Sequence, residues 1–262
     1  MILGIIGLGC GALNALLGIG GGVAVVPALV LCAGFSQKAA QAASLWYVVP
    51  TSLFAGLLYT REEDISLRFV AAMVVAALIG VTIGVRLVKR IDQRHLRAIF
   101  GAAVILIAVA MIVRTCQGEY TGFHRETNVQ YLVLTWTGLA AGFLSSLLGI
   151  GGGVIVVPAL AMIAGFNQRL AQGMSLFYIV PTALYAAVMY RYHAKITIDA
   201  VQTALMIVMG AFGAFIGYQL MRGIPLRELR LLFAAALFGV GILIIVRAMK
   251  ERRAAPPPDW VI

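Results

Sequence analysis

The chain has 262 residues, 62% of them hydrophobic and 11% charged, with a formal net charge of +10. A soluble globular domain runs nearer half apolar and a quarter charged, so this composition argues against one. The positive balance is not taken as a nucleic-acid footprint, because Lys and Arg flank long uncharged runs and there set membrane orientation.

Taken in chain order, Met1–Gln37 is uncharged. It carries no basic n-region and no clear cleavage site, and reads as a first span rather than a signal peptide. Within it, LLGIGGGVAVVPAL (Leu16–Leu29) is interrupted by three adjacent glycines, Gly20 to Gly22. A short second segment follows at Val23–Phe35, then fuller spans near 39–60, 66–88 and 96–114. A polar linker covers 115–128. The same order then returns: an apolar segment reaching LLGIGGGVIVVPAL (Leu147–Leu160), a short segment Val154–Phe166, and spans near 170–191, 197–221 and 229–248. The tail, 249–262, is basic, then Pro-rich, and is expected to be disordered. A helix needs about 20 residues to cross about 30 Å of hydrocarbon. Period-two alternation is absent, so helices rather than a barrel are expected. The expected fold is an all-α polytopic membrane protein.

The two glycine motifs differ at one position, Ala24 against Ile155, and lie 131 residues apart (Leu16 to Leu147). Gly34-Phe35 matches Gly165-Phe166, and SLWYVVPTSL (Ser44–Leu53) matches SLFYIVPTAL (Ser175–Leu184). Further on the offset is 133, where Gly80 and Gly84 match Gly213 and Gly217, HLRAIF matches ELRLLF and Arg114 matches Arg247. The chain therefore reads as two homologous repeats, 1–114 and 129–248. Such duplication is typical of transporters, with the substrate at the repeat interface. If each glycine segment crosses the membrane once, the basic residues divide ten against ten. If it turns back, the repeats are inverted and the division is twelve against eight. The second arrangement gives a positive-inside bias, with the Arg86–Arg97 cluster and the C-terminus cytoplasmic, so inverted repeats are expected.

A glycine run costs a helix about 1 kcal/mol per residue, and it frees backbone groups that lipid cannot satisfy. The helices restarting at Val23 and Val154 begin with unpaired N–H groups and the positive end of a dipole. That makes an anion site. The candidate ligands are Gly18, Gly20, Gly21 and Gly22 with Gly149, Gly151, Gly152 and Gly153. The four GxxxG pairs (Gly7/Gly11, Gly138/Gly142, Gly80/Gly84, Gly213/Gly217) read instead as close helix packing. GLGCGA (Gly7–Ala12) fits the dinucleotide fingerprint on paper, but the first acid is Glu62, far beyond the twenty positions that fingerprint wants.

Asn14 and Ser145 precede the glycines, and a polar face recurs on the following spans: Gln41, Ser44, Tyr47 and Thr51, then Gln172, Ser175, Tyr178 and Thr182. Helical spacing puts each set on one face. These side chains are candidates for substrate contact or for helix–helix hydrogen bonds. Pro50 and Pro181 are expected to kink their helices. Every carboxylate and histidine lies in a loop or at a span end, so neither a buried proton relay nor hydrolytic machinery is visible. Cys10, Cys32 and Cys116 lack metal-ligand or redox spacing, and Cys116 is placed in a loop. No metal, cofactor or enzymatic activity is expected.

The doubled GIGGG…VVP, with a serine-to-Pro-Thr stretch after each copy, resembles the TauE/SafE family of sulfite exporters, also called the toluene-sulfonate-uptake permease family. The resemblance covers residues 1–250. It implies a multi-pass permease of the bacterial inner membrane for a sulfur-containing anion such as sulfite, thiosulfate or an organosulfonate, with Gly18–Gly22 and Gly149–Gly153 as the site's backbone. The expected partners are the lipid bilayer and that anion, with a homodimer admitted and no nucleic acid. An anion channel with the same site is the alternative, and a sulfur relay through Cys10 or Cys32 a more distant one.

Overall fold

The computed structural model describes residues 2–87, 93–118, 128–148, 152–194 and 200–250. Among them there is no strand, and ten helices follow in order. In the first half these are α1 (Ile2–Leu17), α2 (Gly22–Cys32), α3 (Gln37–Tyr59), α4 (Leu67–Leu87) and α5 (Gln93–Gln117). In the second they are α6 (Asn128–Leu148), α7 (Gly153–Met162), α8 (Gln168–Ala194), α9 (Ala200–Gly223) and α10 (Leu226–Lys250). Six helices, α3, α4, α5, α8, α9 and α10, are long and apolar enough to span a bilayer, while α1, α2 and α7 are shorter apolar helices. The protein is a multi-pass membrane protein.

Local chemistry sets the ends of the short helices. Gly34 and Gly165 take positive φ (70° and 76°) just past α2 and α7. The next residues, Phe35 and Phe166, donate their N–H back to Leu29 O (3.1 Å) and Leu160 O (3.0 Å). This is the left-handed cap that glycine permits, with an apolar residue following it. Each following helix then has a polar N-cap. Ser36 accepts from Ala39 N–H at 3.3 Å, and Asn167 accepts from Leu170 N–H at 2.7 Å. Gly118 (φ 75°) ends α5, so this helix runs past Arg114 and includes Cys116, which is exposed on its last turn rather than in a loop. α3 and α8 continue through Pro50 and Pro181.

The GxxxG glycines build the framework. A Cβ on Gly7 would stand 2.6 Å from Met206 O, and Gly11, Gly213 and Gly217 likewise abut Gly210, Leu8 and Ala12 backbone, which locks α1 onto α9. Gly138 and Gly142 abut Met73 and Ala77, and Gly80 and Gly84 abut Leu139 and Phe143, which locks α6 onto α4. Small residues let the helix backbones approach, the favoured device where lipid offers no hydrophobic driving force. Each half therefore lends its first helix to the other half. Along α1 and α9 the contacts advance together, Gly7 on Met206 and Gly11 on Gly210. Along α3 and α8 they run in opposite senses, Gly56 on Phe177 and Gly173 on Tyr59. α1 and α3 advance together, since Tyr47 donates to Gly7 O (2.6 Å) and Tyr59 to Ala15 O (2.7 Å).

At the ends of α3 and α8 a polar cluster ties the halves. Arg222 pairs with Glu62 at 2.8 Å, Asn167 donates to Glu63 at 2.9 Å, and Arg169 donates to Ile224 O at 2.9 Å, where α9 ends. The tail 251–262 and most of the linker, 119–127, lie outside the described residues.

Candidate functional site

The two glycine breaks meet in the middle of the molecule. A Cβ on Gly153 would stand 2.6 Å from Ile19 O and 2.9 Å from Gly18 O, so the start of α7 sits directly against the break between α1 and α2. Depth follows from the neighbours. Gly21 lies beside Val48, near the middle of the span Ala39–Tyr59. Gly20 and Gly152 lie beside Ile179 and Tyr178, near the middle of the span Gln168–Met189.

The glycines of the first break serve three different demands. Gly18 (φ 66°) backs onto Gln172, where a Cβ would be 2.9 Å from that residue's Cα. Gly20 (φ 86°) backs onto Ile179, 2.7 Å from its Cδ1. Gly21 (φ 51°) has room, its nearest neighbour being Val48 at 3.5 Å, and needs glycine for its backbone alone. In the second break Gly152 has an ordinary helical φ of −71°, but its Cβ would lie 2.6 Å from the Tyr178 ring. Gly149 and Gly151 lie outside the described residues.

Breaking α1 frees carbonyls, and α8 and α3 supply donors for them. Ser175 donates to Gly18 O at 2.8 Å. Gln172 donates to Leu16 O at 3.2 Å and accepts from Tyr59 at 3.1 Å, while Tyr59 also reaches Ala15 O. Thus Gln172 and Ser175 hold the broken end of α1. Thr51 and Thr182 bond the backbone of their own helices, at Tyr47 O (2.8 Å) and Tyr178 O (3.0 Å). Each lies one residue after a proline, in a turn that has lost a donor. Ser44 is buried on α3, with Gln41 half-buried one turn earlier and Ser145 half-buried near the end of α6. The sequence reading passed over Tyr59, although its counterpart Tyr190 recurs at the 131-residue offset and could have drawn attention to it.

The donors are less completely used. At the first break Gly22 N–H turns back to Gly20 O, and Ala24 and Val25 N–H bond Gly21 O. Among the described residues no acceptor stands opposite Gly20, Gly21 or Val23 N–H. At the second, Ile155 and Val156 N–H bond Gly152 O, and among the described residues, which leave out Gly149 to Gly151, Gly153 and Val154 N–H meet no acceptor. Two buried side chains beside the breaks are also incompletely paired. Asn14 donates to Ser52 at 3.0 Å and packs against Gly21, with its Oδ1 unpartnered. The Tyr178 hydroxyl, against Gly152, has no partner. Buried polar groups are ordinarily bonded, so such exceptions ask for an explanation. Among the described residues no His/Cys/Asp/Glu cluster is disposed to hold a metal.

The family profile of "Sulfite exporter TauE/SafE" matches residues 3–244. The chain belongs to this family. Curated relatives agree in kind: "Probable membrane transporter protein YunE" of Bacillus subtilis is 25% identical over 94% of this chain and 97% of its own length. "Probable membrane transporter protein MJ0441" of Methanocaldococcus jannaschii is 26% identical over 94% of this chain and 95% of its own. "Probable membrane transporter protein YjnA" of Bacillus subtilis is 24% identical over 92% and 98%. This TauE/SafE chain is a membrane transporter, and its relatives are named as transporters rather than enzymes.

Proposed function

We propose that this protein is an inner-membrane permease that exports a small sulfur-containing anion, such as sulfite, thiosulfate or an organosulfonate, bound between the two glycine breaks. The observation that carries this is the meeting of the breaks near mid-span, each with backbone N–H groups that have no acceptor among the described residues. Helix starts of this kind favour negative charge. The Tyr178 hydroxyl, against Gly152, has no partner and can donate to an anion there. Gln172, Ser175, Thr51 and Thr182 support the breaks, and Gln41, Ser44, Tyr47 and Ser145 extend the polar face around them. Helix directions support repeats of inverted topology. The sequence-equivalent helices α3 and α8 run in opposite senses, and α1 and α3 in the same sense, as they do if α2 turns back.

The six candidate spans hold no carboxylate or histidine apart from Glu228, in the first turn of α10. A proton carrier is therefore lacking at site depth, and the membrane potential drives the anion outward, worth roughly 2.3 kcal/mol per charge per 100 mV. The test is a thermal-shift and binding screen of purified protein against sulfite, thiosulfate, taurine, sulfoacetate, phosphate and chloride. Selective, saturable stabilisation by a sulfur anion is expected. Stabilisation by none of them would remove this function. A channel with the same site would show flux that does not saturate and no anion exchange.

A further inference from the structure

Between α1, α2 and α9 lies a groove of about 570 Å3, lined almost wholly by apolar atoms. Its interior includes the small residues Gly9, Ala12 and Ala24. A Cβ on Gly9 would meet nothing within 4 Å. Ile5, Leu13 and Leu220 line it too and remain strongly exposed (64%, 45% and 57%), so the groove opens sideways rather than into the polar interior. That side of the molecule is the outer face of α1 and of the span α9, whose other exposed residues include Val208, Phe212 and Ile216. In a membrane protein this face meets hydrocarbon.

The small residues that α1 and α2 give the groove belong to the first half. At the 131-residue offset, Gly9, Ala12 and Ala24 are replaced by Ala140, Phe143 and Ile155, each bulkier. The single difference between the two fourteen-residue glycine motifs is thus one of the groove-lining positions. The length is also informative. From Ile5 to Leu16, both of which line it, α1 advances about 17 Å at 1.5 Å per residue. That is close to half of the roughly 30 Å hydrocarbon core, the depth of one leaflet. Water in an apolar trough at that depth has no polar partners to bond.

We propose that this groove is a lipid site that seats one acyl chain of a membrane phospholipid beside the first glycine break, at a position the second half has filled with its own side chains. The occupant is a lipid tail because the groove is apolar, opens toward hydrocarbon and runs for one leaflet. The proposal does not depend on which anion the protein carries.

Native mass spectrometry of the full chain, released from nanodiscs of phosphatidylethanolamine and phosphatidylglycerol, counts the retained phospholipids. The variants are Gly9→Leu, Ala24→Ile and the double variant, with Ala140→Leu as the control at the matching surface of α6. Thermal unfolding confirms that each is folded. Wild type and Ala140→Leu are expected to retain one phospholipid that Gly9→Leu/Ala24→Ile loses, its retention falling roughly tenfold or more. Equal retention by wild type and the folded double variant would overturn the proposal. So would a wild-type dimer that the double variant turns into monomer without loss of lipid, because a second copy would then be the occupant.

Discussion

The two halves are built from one sequence pattern but hold their breaks differently. In the first, Tyr47 donates to Gly7 O at 2.6 Å and is wedged against Gly210 of α9. In the second, the matching Tyr178 has no partner for its hydroxyl and lies against Gly152 instead of bonding Gly138, the counterpart of Gly7. The backbones differ as well, with Gly21 at φ 51° and Gly152 at φ −71°. Asn14 and Ser52 form a hydrogen-bonded pair in the first half, where the second carries Ser145 and Ala183. A duplicated molecule gains from such differences. The first break is held by Gln172 and Ser175 of the other half, while the second has the unpartnered Tyr178 hydroxyl against it.

Seven substitutions and one flux measurement probe that contrast. The largest effect is expected at Gly152. Leucine there collides with the Tyr178 ring, and displacement of about 1 Å at a site can cost roughly a hundredfold in rate. Anion flux in proteoliposomes should be lost while the protein still inserts. Gly21→Leu should also abolish flux. The alanine variants should separate the two breaks. Gly21→Ala has space and meets mainly the left-handed backbone penalty of about 1–2 kcal/mol, so it should retain more flux than Gly152→Ala. Equal, normal flux in all four would make the breaks packing devices.

Next in size, Ser175→Ala leaves Gly18 O buried without its donor and should cost about 1–3 kcal/mol of stability, read by thermal or denaturant unfolding. The tyrosines should then diverge. Tyr47→Phe removes a formed hydrogen bond and should destabilise by about 1 kcal/mol. Tyr178→Phe removes none, should leave stability unchanged and should raise KM. A stability loss at Tyr178 equal to that at Tyr47 would erase the proposed difference between the halves. Smallest of all should be the response of flux to an imposed pH gradient at clamped voltage, measured with a strongly charged sulfonate. Voltage at equal pH should drive it instead, and strict dependence on the proton gradient would show that a carrier has been overlooked.

Much of the fold was legible in the sequence because the bilayer fixes run length. The six fuller spans read from the sequence correspond to the helices that qualify as spans, and the triple glycines fall where α2 and α7 begin. The GxxxG pairs announced close packing but not its partners. Small residues specify that a backbone approaches without saying whose, so the exchange of α1 onto α9 and α6 onto α4 needed coordinates. The polar face of α8 was legible as polar. That Gln172 and Ser175 cap carbonyls of another half's helix was not, because the orphaned carbonyls lie more than 150 residues away in the chain. Cys116 was misplaced because the loop was started at the first charge, Arg114, whereas the helix ends at Gly118, where the backbone turns left-handed.

The central claim, that an anion binds N–H groups at both breaks, can be read at single residues. Labelling glycine carbonyls with 13C and valine amides with 15N isolates the Gly–Val pairs, which include Val23 and Val154 at the two helix starts and Val81, Val85 and Val240 elsewhere. Titrating sulfite or sulfoacetate into the labelled protein in nanodiscs should shift the Val23 and Val154 amide signals together, to one saturating curve, while Val81, Val85 and Val240 stay fixed. Saturable binding with Val23 and Val154 unmoved would contradict the claim.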